Sequence, residues 1–236
     1  KSLRIETANI ELRAEFNAPA TVHREGKIAI PARPLASLAP SIHANDEIIL
    51  EQEGQVLKII TKTGKTAFHG YHYDTVSHIA IPRGKAICSI KNSLFLPILK
   101  RMLVSVARSL LKPELASVLL RFTPNECVVV STDGFRLTEY RIAKNTFRAY
   151  PANTSDILIP FRSLEEIIHA FEEDDEEIYC YYHEGMFGIS SSSVNICARV
   201  TEGAFPAYEQ IIPSHFSVSL AVSRAPLIDI LRQASI

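Results

Sequence analysis

Several signatures that would assign a function at sight are missing from this 236-residue chain. Its 25 Lys and Arg against 26 Asp and Glu leave a formal net charge of −1. No global charge therefore draws it to nucleic acid or to a membrane surface, and any such contact must come from local asymmetry. No apolar run approaches the ~18 residues of a membrane-spanning helix. The opening residues carry no signal-peptide pattern, so a cytoplasmic location is expected. There is no P-loop, no G-x-G-x-x-G and no nucleophile elbow, which removes the best-marked nucleotide-binding and acyl-transfer sites. The four cysteines, Cys88, Cys127, Cys180 and Cys197, show no C-x-x-C spacing. Each falls in strand-like sequence and reads as a small buried hydrophobe in a reducing compartment. No cofactor is expected.

What the chain does contain is an echo of itself. Ile28-Ala29-Ile30-Pro31-Ala32-Arg33-Pro34-Leu35 recurs 129 positions later as Ile157-Leu158-Ile159-Pro160-Phe161-Arg162-Ser163-Leu164. Each copy reads as an alternating strand that runs through a proline into a helix, a junction that suits the fixed φ and missing N–H of proline. Thr7-Ala8-Asn9-Ile10-Glu11-Leu12 pairs with Thr132-Asp133-Gly134-Phe135-Arg136-Leu137, and Ile98-Leu99-Lys100 with Ile230-Leu231-Arg232. A spacing this long marks repeated domains rather than a short-period solenoid. The chain begins at Lys1 with strand-like sequence and stops just past a helix, so both ends are expected to be cuts through a longer protein.

Periodicity predicts mostly strands. They cover Leu3–Thr7, Ile10–Ala18, Lys27–Ile30, Glu47–Glu53, Val56–Lys62, Thr66–Gly70, Ala86–Ile90, Leu115–Thr123, Cys127–Thr132, Phe135–Ile142, Asp156–Ile159, Glu177–His183, Met186–Ser190, Val194–Arg199 and Phe216–Val222. Gly54, Gly64, Asp133-Gly134 and Glu184-Gly185 mark hairpin turns. Helices are predicted over Ala32–Ile42, Ser93–Leu111, Arg162–Phe171 and Arg224–Ser235. In the second, Pro97 is placed in the first turn, and Arg101 and Arg108 share the face opposite an apolar stripe of Leu96, Leu99, Leu103, Val106 and Leu110. The class is α+β, with antiparallel sheets carrying helices on one side. Linkers are expected at Tyr71–Lys85 and Thr201–His215.

Ser131-Thr132-Asp133-Gly134-Phe135-Arg136-Leu137, followed by Glu202-Gly203-Ala204-Phe205-Pro206-Ala207-Tyr208 and Ile211-Ile212-Pro213, resembles the bacterial sliding clamp family, the beta subunit of DNA polymerase III. Lys112-Pro113-Glu114-Leu115 is similar to the family's Arg-Pro-x-Leu before a strand. The resemblance implies clamp domains of the processivity fold, with sheets outside and helices lining an inner face. It places the later part of domain one at 1–80, all of domain two at 81–205, and the linker and start of domain three at 206–236. It implies a DNA-replication factor without catalytic residues. Two subunits would close head to tail into a homodimer ring around duplex DNA and read no sequence, as phosphate contacts allow. A ring subunit needs both outer domains, so this segment is expected not to close one alone.

The resemblance also implies two sets of site residues. Lys100, Arg101, Arg108, Arg162, Arg224 and Arg232 would face DNA, while Phe161 stands where the family often has a basic residue. Polymerase III catalytic subunit, clamp loader and repair proteins would dock short hydrophobic peptides in a pocket between domains two and three. That pocket carries over as Leu115, Thr132, Gly134, Phe135, Arg136, Leu137, Pro206, Gln210 and Ile211. Two alternatives are weighed beside this: a clamp-like peptide-binding scaffold that does not encircle DNA, and a metal-dependent hydrolase using His69, His72 and Asp74, whose ligand types zinc accepts.

Overall fold

The computed structural model describes residues 1–43, 46–75, 85–123, 125–150, 156–171 and 175–235. Its first elements are β1 (Ser2–Ala8), β2 (Leu12–Pro19), α1 (Ala32–Leu38), β3 (Ile49–Glu53), β4 (Val56–Thr61) and β5 (Gly64–His69). Then follow β6 (Cys88–Lys91), α2 (Asn92–Met102), β7 (Ser117–Phe122), β8 (Glu126–Thr132), β9 (Leu137–Ala143), β10 (Phe147–Ala149), β11 (Ile157–Pro160) and α3 (Phe161–Ala170). The last are β12 (Glu177–His183), β13 (Met186–Ser190), β14 (Val194–Arg199) and α4 (Arg224–Ala234). Residues Lys1–Phe205 form one compact unit and Pro206–Ile236 a second. The expected boundary between residues 80 and 81 lies outside the described residues.

Three antiparallel sheets build the first unit. They run β1-β2-β14-β13-β12-β6-β10, β11-β7-β8-β9 and β3-β4-β5. The repeat is visible in their hydrogen bonds. Glu53 pairs with Val56 and Val56 with His69, just as His183 pairs with Met186 and Met186 with Arg199. Tyr71 N donates to Ala29 O at 2.7 Å, and Thr201 N donates to Leu158 O at 2.8 Å. Gly70 N reaches Gln55 O as Val200 N reaches Gly185 O. The hairpins β1–β2 and β8–β9 end in the pairs Ala8↔Arg13 and Thr132↔Leu137. Ala8 is thus the counterpart of Thr132, one position away from the alignment read in the sequence.

The core lies between the seven- and four-stranded sheets and α2 and α3. Phe95, Leu96 and Leu99 of α2 and Leu164 and Ile167 of α3 are fully buried there. Both helices are amphipathic, and burying each such side chain contributes about 1.5–3 kcal/mol. The four α-helices among the described residues are entered through one backbone geometry. Pro31, Lys91, Pro160 and Ser223 sit at the N-caps with φ of −59°, −65°, −54° and −71° and ψ of 124°, 132°, 137° and 128°. None makes a side-chain capping bond. The repeated proline is therefore the cap rather than the first helical residue.

Several expectations change. The helix predicted to reach Leu111 ends at Met102, because the buried Ser131 hydroxyl donates to Met102 O at 2.8 Å. The backbone then tightens through Val104 N to Arg101 O and Ser105 N to Met102 O. Arg108 consequently lies beyond the helix, and Pro97 lies inside it past the first turn. Phe216–Val222 forms no strand, and Lys27–Ile30 contributes only the bridge of Ala29 to Tyr71. Gly64 opens β5 instead of turning, while β10 was not foreseen. α1 continues as a 3-10 turn, Ala39–Ser41.

All four cysteines are outside disulfides, buried and on strands. Burial pushes the Cys127 thiol up, and burial against the slight relief of an Arg13 backbone bond leaves Cys197 at about 11. A thiol reagent at neutral pH should label none of the four in the folded chain and all four in denaturant; rapid native labelling of any one would contradict this packing.

Candidate peptide and nucleic-acid interfaces

The loop between β8 and β9 carries Gly134, Phe135 and Arg136 of the expected peptide pocket. Thr132 is buried at the end of β8; its Oγ1 donates to Arg136 O at 2.7 Å and accepts the Gly134 N–H at 3.1 Å. Gly134 has φ 90°, a conformation that favours glycine, and open space where a Cβ would stand. Asp133 Oδ1 accepts the N–H groups of Phe135 (2.9 Å) and Arg136 (2.7 Å), and Oδ2 accepts Arg136 Nε (3.0 Å) and Nη2 (2.8 Å). The turn is held by the aspartate, and Phe135 is left 98% exposed at its tip. Phe135 is therefore loop, not the start of a strand. Leu137 opens β9 half-buried.

Leu115 is half-buried just ahead of β7 and accepts the Ala107 N–H at 3.0 Å. Two residues earlier, the Ser105 hydroxyl meets the Thr138 hydroxyl at 2.6 Å. The segment after α2 thus ties Leu115 and the start of β9 to one neighbourhood. In the second unit, Pro206 and Gln210 are exposed and Ile211 is 72% exposed on a 3-10 turn, Tyr208–Ile211, whose Tyr208 N donates to Pro206 O.

Of the expected DNA-facing residues, Lys100 and Arg101 are exposed in the last turn of α2, where cations also suit the helix dipole. Arg162 is exposed in the first turn of α3. Arg108 donates Nη1 to Glu165 Oε1 of α3 and Nη2 to Leu103 O at 3.3 Å. In the second unit, Arg224 opens α4 and Arg232 lies 3.8 Å from Asp229. The acidic sequence Glu172-Glu173-Asp174-Asp175-Glu176-Glu177, expected on the outside or at an edge because it would repel DNA, falls partly outside the described residues. Phe161, rather than sitting idle where a charge was expected, is buried beneath the guanidinium groups of Arg108 and Arg162. Sequence reading missed this, since residues 108 and 161 share no motif.

The hydrolase alternative names His69, His72 and Asp74. Lys27 Nζ holds the Asp74 carboxylate at 3.0 Å, His69 ends β5 and His72 lies beyond it. No group of three His, Cys, Asp or Glu side chains able to hold a metal ion occurs among the described residues. No helix there is long and apolar enough to cross a membrane, which says nothing of β-barrels.

This arrangement of repeated antiparallel sheets with amphipathic helices is the sliding-clamp fold. The family model for the central domain of the DNA polymerase III beta subunit matches residues 89–207, just over half of the chain. The chain belongs to that family. It is 22% identical to the beta sliding clamp of Synechococcus elongatus, over 99% of this chain and 62% of the relative. Among solved structures, a putative DNA polymerase III beta subunit from Eubacterium rectale superposes with a TM-score of 0.86 at 19% identity, covering 99% of this chain and 63% of that one. A Pseudomonas aeruginosa sliding clamp bound to griselimycin gives 0.81 at 18%, covering 92% and 58%. The chain spans about three fifths of the length of these relatives.

The Asp133 carboxyl is held down to about 2, first by the Arg136 and Phe135 backbone N–H groups and then by the Arg136 guanidinium. Its depressed value means that the turn contributes stability above the ordinary carboxylate range near 3.9, lost as pH falls through about 2. An NMR titration of the Asp133 carboxyl should show that low midpoint, and a midpoint near 4 would refute the bonding described.

Proposed function

We propose that the chain is the greater part of a sliding-clamp processivity factor that encircles duplex DNA as a head-to-tail homodimer ring in the cytoplasm. It tethers the replicative polymerase, the clamp loader and repair proteins through a peptide pocket between its second and third domains. Domain one ends near residue 80, domain two covers 81–205, and domain three begins at 206. A ring holds DNA by threading, so the function needs no reacting side chain.

The observation that carries this reading is the hydrogen-bond register shared by two successive copies, fused into one sheet where β2 pairs with β14. In this equivalence β9 corresponds to β2, and β9 is an edge strand of its sheet. A third copy would pair there as β14 pairs with β2. The helix α4 fits that expectation. Its Leu227, Ile230 and Leu231 are 40%, 61% and 58% exposed, whereas the matching Phe95, Ile98 and Leu99 of α2 are at most 1% exposed. The same stripe suits the same kind of core.

The decisive measurement is retention of the natural protein on circular against linearised DNA after loading. Slow loss from circles and fast loss from linear DNA is expected. Equal loss from both, with peptide binding intact, would leave only the peptide-binding scaffold.

Two mutational outcomes follow from the pocket and the lining. Leu137→Ala with Pro206→Ala should weaken a hydrophobic clamp-binding peptide about tenfold or more, since each removes apolar surface from the pocket. Unchanged affinity would refute the pocket assignment. Arg101→Glu with Arg108→Glu should lower duplex affinity at low salt by an order of magnitude or more while sparing peptide binding. Joint loss of both activities would signal misfolding instead.

A further inference from the structure

We propose that Phe161 is a positioning residue for the DNA backbone, its buried ring fixing the guanidinium groups of Arg108 and Arg162 as one seat for a phosphodiester. This rests on the DNA-binding reading above. The two arginines come from different elements, Arg108 from the segment after α2 and Arg162 from α3. Their guanidinium carbons lie 4.8 and 5.9 Å from the Phe161 ring centroid, within the range where a cation is drawn to an aromatic face. Phe161 is 6% exposed and belongs to the core cluster, so its ring is a fixed platform.

Arg108 is held further by Glu165 and by the Leu103 carbonyl. These two bonds engage two of its five N–H donors, so donors remain for an anionic oxygen. The freedom a loose arginine would lose on docking has here been lost on folding, which favours binding. Glu165 and Glu166 lie on the same helix and subtract charge, but Lys100 and Arg101 close the neighbouring α2, which packs on α3. Cations spread over α2, α3 and the segment between them favour a repeating phosphate backbone over a single anion. The aromatic at 161 thus replaces a charge by organising two.

The test is the low-salt affinity of the natural protein for a short fluorescent duplex, and its change across a salt series, by anisotropy. Phe161→Leu and Arg108→Ala should each weaken binding roughly threefold to tenfold at low salt and flatten the salt slope by about one phosphate contact. Phe161→Tyr, which keeps the ring, should bind like the unaltered chain. The double variant Phe161→Leu/Arg108→Ala should lose less than the product of the single losses, because the ring acts through the arginine. Multiplying losses, or a Phe161→Leu variant with normal affinity and salt slope, would overturn the proposal. Thermal unfolding of Phe161→Leu checks that the measurement is made on folded protein. If the unaltered protein shows neither salt-dependent duplex binding nor retention on circular DNA, the DNA reading itself fails.

Discussion

The antiparallel pairing of β2 with β14 is the joint on which the rest of the first unit depends. Val194 to Ala198 face Phe16 to Leu12, and Asn17 N to Ser193 O and Arg199 N to Glu11 O extend the ladder at its two ends. Through it the early hairpin becomes the margin of the next copy's sheet, and seven strands share one ladder. The two faces of the seam divide as an antiparallel sheet should. Leu12 and Ala14 enter the core, while Arg13 between them meets Glu6 at 2.9 Å, and Tyr73 donates to the same Glu6 carboxylate at 2.7 Å. That polar cluster ties the chain after β5 back onto the hairpin of the same copy.

The two equivalent hairpin tips show one structural problem solved twice. Asn9 Oδ1 accepts the N–H groups of Glu11 and Leu12 at 2.8 and 2.7 Å, as Asp133 Oδ1 accepts those of Phe135 and Arg136. Either side chain can close such a turn. Only the aspartate adds a charge, which it spends on orienting the Arg136 guanidinium. The first tip carries no counterpart of that pair, because its equivalent position is Leu12, buried in the seam.

Local pattern made the strands around Glu184-Gly185 legible to the residue, since both turn positions take positive φ and the flanking runs alternate. Where a boundary depends on a distant partner, reading failed. The end of α2 is set by Ser131, twenty-nine positions away. Phe216–Val222 alternates like a strand but pairs with no strand among the described residues. The contiguous loop of the candidate peptide site could be read as a motif, whereas the contact between Arg108 and Phe161 could not, because only the packing of α2 and its following segment on α3 brings them together.

The shared entry into the helices carries a consequence for how such a chain can change over time. Because Pro31, Lys91, Pro160 and Ser223 reach nearly the same torsions without a side-chain bond, helix direction is written in the main chain. Residues at these corners can then drift in chemistry while each helix keeps its direction from the chain before it. Divergence of surface character need not disturb the shape that the copies hold in common.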